Sequence, residues 1–322
     1  MKTIKIKFVD FWEGFQPLES IFYKVLVNKY NLVLSDEPDY IFYSVFGFEH
    51  FKYDCIRIFY TGEQVSPDFD MSDYAIGFDY LDFGDRYIRY PLYLLSFSKD
   101  ELMDSLKVDS SVDMKDRQFC SFVYSNEYAL TNRDDFFLML SEYKKVNSGG
   151  RHLNNIGTRV LDKIEYLSRH KFTIAFENST YPGYTTEKIL DGFLSNSVPI
   201  YFGNPLIGHE FSDKSFINLH NFDSFESAIN RIIEIDNDED QYLRILNSAR
   251  IHDESSMPTI VDLENFLYKI FDQEQSLAKR RPHSIRSLKK IRVLKLFAFL
   301  NRIYYLLPKV VRKNIQNKTY KL

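Results

Sequence analysis

Residues 172–203, FTIAFENSTYPGYTTEKILDGFLSNSVPIYFG, constrain the fold more than any other part of the chain. FTIAF is a short β-branched and aromatic run with the character of a buried strand, and ENSTYPGYTT is a loop marked by Asn, Ser, Pro and Gly. A helix is expected from Thr185 or Thr186. With Thr186 as cap, Glu187 and Lys188 fall in its first turn. Ile189, Leu190, Phe193 and Leu194 then share one face, fit to dock on a sheet. VPIYFG closes the run as the next parallel strand. The whole is a βαβ unit, whose ligands sit at the carboxyl ends of the strands, where Glu187 and Lys188 lie.

The same alternation fills the rest of the chain. TIKIKFV, NLVLS, YIFYSVFG and CIRIFYTGE read as strands, with ESIFYKVLVNKY as a helix among them. Neither GxGxxG nor GxxxxGK(S/T) occurs, which argues against the usual dinucleotide and P-loop sites. Residues 96–117 turn polar and are the expected linker. A second set follows: QFCSFVYS as a strand, 131–143 as a helix, the loop NSGGRHLNNIG and the helix VLDKIEYLSRH. Beyond the opening stretch come the strand SFINL and three helices. The expected fold class is α/β, with two Rossmann-like halves facing a cleft. They span 1–110 and 111–275, and a tail covers 276–322.

The 322 residues suffice for two cores of ordinary size. Aromatics reach 16%, which an AT-rich coding bias explains as readily as a sugar-stacking surface. Cys55 and Cys120 have no metal-ligand or disulfide spacing, which suits a reducing cytosol. MKTIKIKFVDFW opens directly on a strand, so neither leader nor membrane anchor is expected. The net charge of −4 conceals a split: residues 279–322 hold fourteen Lys and Arg and no acid, leaving 27 basic against 45 acidic residues before them. At about 100° per residue, Leu296, Phe297, Leu300, Ile303, Tyr304 and Leu307 gather opposite Lys295, Asn301, Arg302 and Tyr305. That run is too short to span a bilayer. The expected partner is an anionic membrane surface, met through residues 279–313; the alternative is docking on the body or on a second subunit. No recognition motif for nucleic acid accompanies the charge.

Pattern alone also nominates site residues. A helix amino terminus with Lys188 beside it suits a diphosphate, and Glu187 suits ribose hydroxyls, although an ordinary first-turn Glu beside a solvated Lys is the simpler account. Glu177, Asn178 and Tyr184 add polar groups at the same strand end. Glu63 closes CIRIFYTGE after a turn-permitting Gly62, either as a carboxylate in the cleft or as a surface residue. Asp68-Phe-Asp70 and Asp236-Asn-Asp238 match a DxD string but sit in what read as solvated loops. The histidines have no zinc-ligand spacing. The Ser148-Gly149-Gly150-Arg151 loop can approach a ligand closely.

FENSTYPGYTTEKILDGFLSNSVPIYFGNP resembles the signature of the α1,3/α1,4-fucosyltransferases, glycosyltransferase family 10. The likeness extends through FYTGE, SPDFDMSDYAIGFDYLDFGDRYIRYPLY, SGGR and SFINLH over roughly residues 3–275, and is strongest to bacterial members. The resemblance implies a GT-B fold, with GDP-fucose in the second domain and an oligosaccharide acceptor facing the first. It implies that Lys188 and Arg133 hold the diphosphate, that Glu187 binds the ribose, and that Tyr184 and Asn178 line the donor pocket. Glu63 becomes the catalytic base, so some burial of its carboxylate is expected. No metal site and no obligatory cofactor are implied, a divalent cation acting at most as a stimulant. The implied reaction is inverting transfer of L-fucose to GlcNAc or Glc of lactosamine- or lactose-like glycans, α1,3 and in some members α1,4. It would serve lipopolysaccharide or capsule synthesis at the inner face of the membrane. The alternatives are a GT-B transferase using another nucleotide sugar and a non-catalytic glycan- or membrane-binding protein of the same fold. Phe202 stands where many relatives have Trp. The heptad repeats of some bacterial members are not evident, and a homodimer is left open.

Overall fold

A computed structural model describes residues 1–95, 99–107, 116–127, 129–251, 257–282 and 284–306. The chain forms two compact units. The first comprises residues 1–77, 83–88 and the chain from Glu264 onward; the second comprises 78–82 and 89–263.

In the first unit, β1 (Thr3–Val9), α1 (Ile21–Val27), β2 (Asn31–Leu34), β3 (Tyr40–Tyr43), β4 (Ile56–Tyr60), β5 (Tyr74–Gly77) and β6 (Tyr87–Arg89) follow in sequence. The sheet order is β2-β1-β3-β4-β5-β6, parallel from β2 to β5. YIFY, IRIFY and YAIG are buried at every position, as strands covered on both faces must be. Ser20 starts α1 by accepting the Tyr23 N–H.

The second unit holds α2 (Lys99–Ser105), β7 (Gln118–Phe122), α3 (Arg133–Tyr143), β8 (Val146–Ser148), α4 (Lys163–Ser168), β9 (His170–Phe176), α5 (Glu187–Leu194), β10 (Val198–Phe202), β11 (Ile217–Asn218), α6 (Phe225–Asn237) and α7 (Glu239–Leu246). Its sheet runs β11-β10-β9-β7-β8, all parallel. The order reverses direction between β7 and β9. That crevice, at the carboxyl ends of the strands, is where such sheets bind ligands.

The closing elements return to the first unit, which departs from the expected 1–110, 111–275 and 276–322. The chain passes to the second unit at Arg89, and α8 (Ile260–Asp272) crosses back at Glu264. Half of the expected linker, 96–117, lies outside the described residues. The return of α8 is fixed by burial: Phe271 stacks on Tyr40 at 4.3 Å, Lys2 Nζ donates to the Phe271 carbonyl at 2.7 Å, and Tyr30 donates to Asp272 at 2.8 Å. After α9 (Gln275–Ala278), the basic run is tied down by acids. Asp73, with no exposed surface, accepts from the N–H groups of Arg57, Arg280 and Arg281 and pairs with Arg281 Nε at 3.0 Å. Lys279 pairs with Asp54 and Arg280 with Asp85. In α10 (Ile285–Leu306), Lys290 Nζ lies 2.6 Å from Asp68 and Ser287 donates to Asp70.

Both DxD strings therefore serve the fold rather than lying as solvated loops. Asp68 and Asp70 receive α10, while Asp236, its side chain 3% exposed, pairs with Lys144 and Lys171, which hold its carboxyl below the ordinary range despite burial. Asp238 caps α7 through the Gln241 N–H. Both cysteines are free. Among the described residues no helix is long and apolar enough to cross a membrane.

Removing one member of a buried ion pair leaves the other charged and unpaired. Asp73→Asn should lower unfolding stability by about 3 kcal/mol. A urea-unfolding midpoint equal to wild type would show that Asp73 does not anchor the returning segment.

Candidate functional site

At the β7/β9 reversal lies a cavity of about 350 Å³. Much of its wall is chain that leaves a strand, Val123–Asn126 after β7, Gly149 and Gly150 after β8 and Asn178 after β9, joined by the first residues of α3 and α5 and by Arg159, Val160 and Lys163. The two glycines are required by proximity. A Cβ on Gly150 would fall 1.9 Å from the Tyr124 carbonyl oxygen, and one on Gly149 would fall 2.3 Å from Val160. The SGGR loop thus forms the floor, as its composition suggested, although Arg151 is exposed and does not line it.

Arg133 is the first residue of α3 and is 1% exposed. Its guanidinium lies over the Tyr124 ring at 4.3 Å, donates to Asn178 Oδ1 at 3.2 Å and donates to the Asn126 carbonyl. Nε has no hydrogen-bond partner, Asp134 being 3.8 Å away. Burial holds the Arg133 pKa below its ordinary value. Asn178 accordingly does two things: it lines the cavity and fixes Arg133.

Thr186 occupies the cap position of α5, as expected, but its side chain does not cap the helix. Its hydroxyl and its N–H both donate to Glu177, each at 2.7 Å. Glu177 has no exposed surface and also accepts from Lys188 Nζ at 3.0 Å. Burial lowers the Lys188 pKa, yet the Glu177 carboxylate outweighs it and holds the ammonium above its ordinary value. Glu187 remains half-exposed, 3.9 Å from Lys188. Burial raises its carboxyl, but the nearby ammoniums of Lys188 and Lys163 leave it below the ordinary range.

Arg133, Asn178, Glu187 and Lys188 are thus brought together at one cavity. Tyr184 is not among them: it is buried with its ring edge against Phe78 at 5.2 Å, and so supports the loop rather than lining the cavity. Glu63 lies in the first unit, three residues beyond β4, with its N–H donating to Thr61. Its side chain is exposed, not partly buried as expected, and follows Gly62 beyond the end of the strand. Two cavity cations escaped the sequence reading, Arg159 and Lys163. They belong to a loop and a short helix whose spacing carries no signal; only the strand order brings them here. Among the described residues no cluster of His, Cys, Asp and Glu could hold a metal ion.

Two family descriptions match the chain: the alpha-(1,3)-fucosyltransferase FucT N-terminal domain over residues 6–96, and the C-terminal region of glycosyltransferase family 10 (fucosyltransferase) over residues 112–259. The chain belongs to glycosyltransferase family 10. Among its relatives is the alpha-(1,3)-fucosyltransferase FucT of Helicobacter pylori, 34% identical over 76% of this chain and 59% of that protein. The chain therefore spans about three fifths of that curated relative. A crystal structure of an alpha1,3-fucosyltransferase superposes with TM-score 0.75 at 28% identity, covering 88% of this chain and 93% of the other. One of an alpha1,3-fucosyltransferase with GDP-fucose gives 0.70 at 29% identity, over 85% and 92%. The fold is the GT-B type of these family 10 structures.

The Glu177–Lys188 pair is the structural tie of this family 10 cavity. Glu177→Gln should cost about 3 kcal/mol of stability by leaving the buried ammonium with only the half-exposed Glu187 carboxylate 3.9 Å away. In urea unfolding, combining it with Lys188→Met should cost less than the sum of the single changes by about 1 kcal/mol or more. Strict additivity would show that the two residues are not coupled.

Proposed function

We propose that the protein is an inverting α1,3-fucosyltransferase, with α1,4 transfer as a second product, moving L-fucose from GDP-β-L-fucose to GlcNAc or Glc of a lactosamine- or lactose-like glycan. The observation that carries the reading is the cation-lined cavity at the β7/β9 reversal, in a family 10 chain similar to a protein crystallised with GDP-fucose. Arg133 and Lys188 are set to meet the diphosphate, Glu187 the ribose hydroxyls, and Asn178 to hold Arg133 in place.

The chemistry follows from charge. As the bond to fucose breaks, negative charge grows on the departing GDP, and fixed cations stabilise it more in the transition state than in the bound donor. The acceptor hydroxyl attacks the anomeric carbon from the face opposite GDP while a base takes its proton, the single-displacement logic of inverting glycosidases with a sugar hydroxyl in place of water. Glu63 is the proposed base. In the same unit, the half-exposed rings of Trp12 and Phe46 pack edge to face at 6.5 Å just beyond β1 and β3, a surface suited to stacking on a sugar. That surface supports placing the acceptor in this unit.

We also propose peripheral attachment to an anionic membrane at the cytoplasmic face, where lipid-linked glycans are built. α10 exposes Leu296, Phe297, Phe299 and Leu300 together with Arg286, Lys289, Arg292 and Lys295. The earlier basic residues, 279–281, are engaged by Asp54, Asp73 and Asp85, so the attachment narrows from residues 279–313 to the helix itself; residues 307–313 lie outside the described residues.

With GDP-fucose and lactose, type 1 or type 2 acceptors, Glu63→Gln should abolish product while leaving GDP affinity at the wild-type value; normal turnover would remove Glu63 from the mechanism. Failure of wild type to release GDP with any acceptor would favour a non-catalytic protein of the same fold, and binding of UDP rather than GDP in a thermal-shift panel would favour a transferase using another nucleotide sugar. Reversing Lys289, Arg292 and Lys295 to Glu should abolish co-sedimentation with phosphatidylserine vesicles, and undiminished binding would refute an electrostatic attachment through α10.

A further inference from the structure

Four cations line the cavity: Arg133, Arg159, Lys163 and Lys188. Three are already engaged. Lys188 is paired with Glu177, Lys163 with Asp191 at 2.5 Å, and Arg133 donates to Asn178 and Asn126. Among the described residues Arg159 alone of the four has neither an ion-pair nor a hydrogen-bond partner for its guanidinium, and its side chain is exposed.

The backbone beneath that free side chain is held on both sides. The Val160 N–H donates to the Gly149 carbonyl at 3.0 Å, and the Thr158 carbonyl accepts from Asn154 Nδ2 at 2.9 Å. Asn154 also donates to the Gly150 carbonyl and accepts from the Gly157 N–H, while Asn155 bridges Val146 and Ser148. Two asparagines thus lace the excursion between β8 and α4 to the floor of the cavity. Val160 packs in the space that a Gly149 side chain would need. The loop cannot swing away without breaking these bonds, so it presents one unpaired cation at a fixed place on the rim.

We propose that Arg159 is a diphosphate-binding residue, the cation that meets the anion first and stays bonded to it as charge grows on the leaving group. The inference rests on the nucleoside-diphosphate reading of the cavity. It follows from charge accounting: each engaged cation must share its charge with an existing partner, whereas Arg159 brings a full charge and an unused donor fork. Lysine at this position would keep the charge and lose the fork.

The test is isothermal titration of the full chain with GDP and with inorganic pyrophosphate, on wild type, Arg159→Ala, Arg159→Lys and, as a control on the same loop, Arg151→Ala. The expected result is roughly ten-fold or greater weakening of both ligands by Arg159→Ala, partial recovery by Arg159→Lys, and no change for Arg151→Ala. The loss of affinity with added salt should also be shallower in Arg159→Ala, a response that a change of loop shape alone would not give. Wild-type affinity for both ligands in Arg159→Ala overturns the proposal. A wild-type protein that binds pyrophosphate through Arg159 but prefers UDP to GDP would overturn the choice of nucleotide and leave the role of Arg159 standing. Binding of neither ligand by wild type overturns both.

Discussion

A carboxylate with no exposed surface sits at the end of β9, and the second unit is arranged around the need to satisfy it. Glu177 has three donors within 3.0 Å, all from the start of α5. Burial of an unpaired carboxylate costs several kcal/mol, of order 3–5 when one partner of a buried pair is lost. The loop between Glu177 and Thr186 is therefore closed by chemistry as much as by chain geometry, and Lys188 is held where the cavity opens. The same side chain explains a glycine. A Cβ on Gly203, at the end of the neighbouring β10, would fall 2.4 Å from Glu177 Cγ. The Glu of FEN, the Thr and Lys of TTEK and the Gly of VPIYFG are four parts of one contact set.

That arrangement makes the cavity cationic without making it a reservoir of free charge. Lys188 and Lys163 each share a carboxylate, with Asp191 itself pushed up by burial and pulled back by Lys163. Arg133 is desolvated and stacked on an aromatic ring. Groups held so firmly need little reorganisation when a negative charge appears near them, which is the condition for electrostatic stabilisation in a partly dry site. The charge of Lys188 and Lys163 is thereby already shared with Glu177 and Asp191.

The sequence carried the strands and α5 well because parallel, doubly covered strands must be apolar throughout and a docking helix must be striped. FTIAF, VPIYF and the Ile189, Leu190, Phe193 stripe all lie where periodicity placed them. What it could not carry was pairing between distant residues. Asp73, Asp68 and Asp236 look like any loop acids until the fold brings Arg281, Lys290 and Lys171 to them. Arg159 and Lys163 reach the cavity only through the β8 to α4 excursion. Tyr184, placed at the pocket by its motif, packs its ring edge to face with Phe78 instead, a contact between distant residues that the motif does not carry. Glu63, three residues beyond β4, is exposed whereas Glu177, directly after β9, is buried, a difference that the residue type at a strand end does not carry.

Strand order connects the two sheets to one logic. Counting within each unit, both follow the order 2-1-3-4-5, the first with one strand more, so both reverse direction beside their first strand. The second unit fills its reversal with cations; the first places exposed aromatic rings beyond β1 and β3. The basic tail then reads differently from a simple count of charge. Fourteen cations follow residue 278, but four of the first six, at 279, 280, 281 and 290, are consumed by acids of the first unit. Asp73 meets the Arg281 guanidinium where the chain folds back, so the closing segment helps to complete the first unit. Among the described residues, Arg286, Lys289, Arg292 and Lys295 of α10 are exposed, interleaved with exposed apolar side chains.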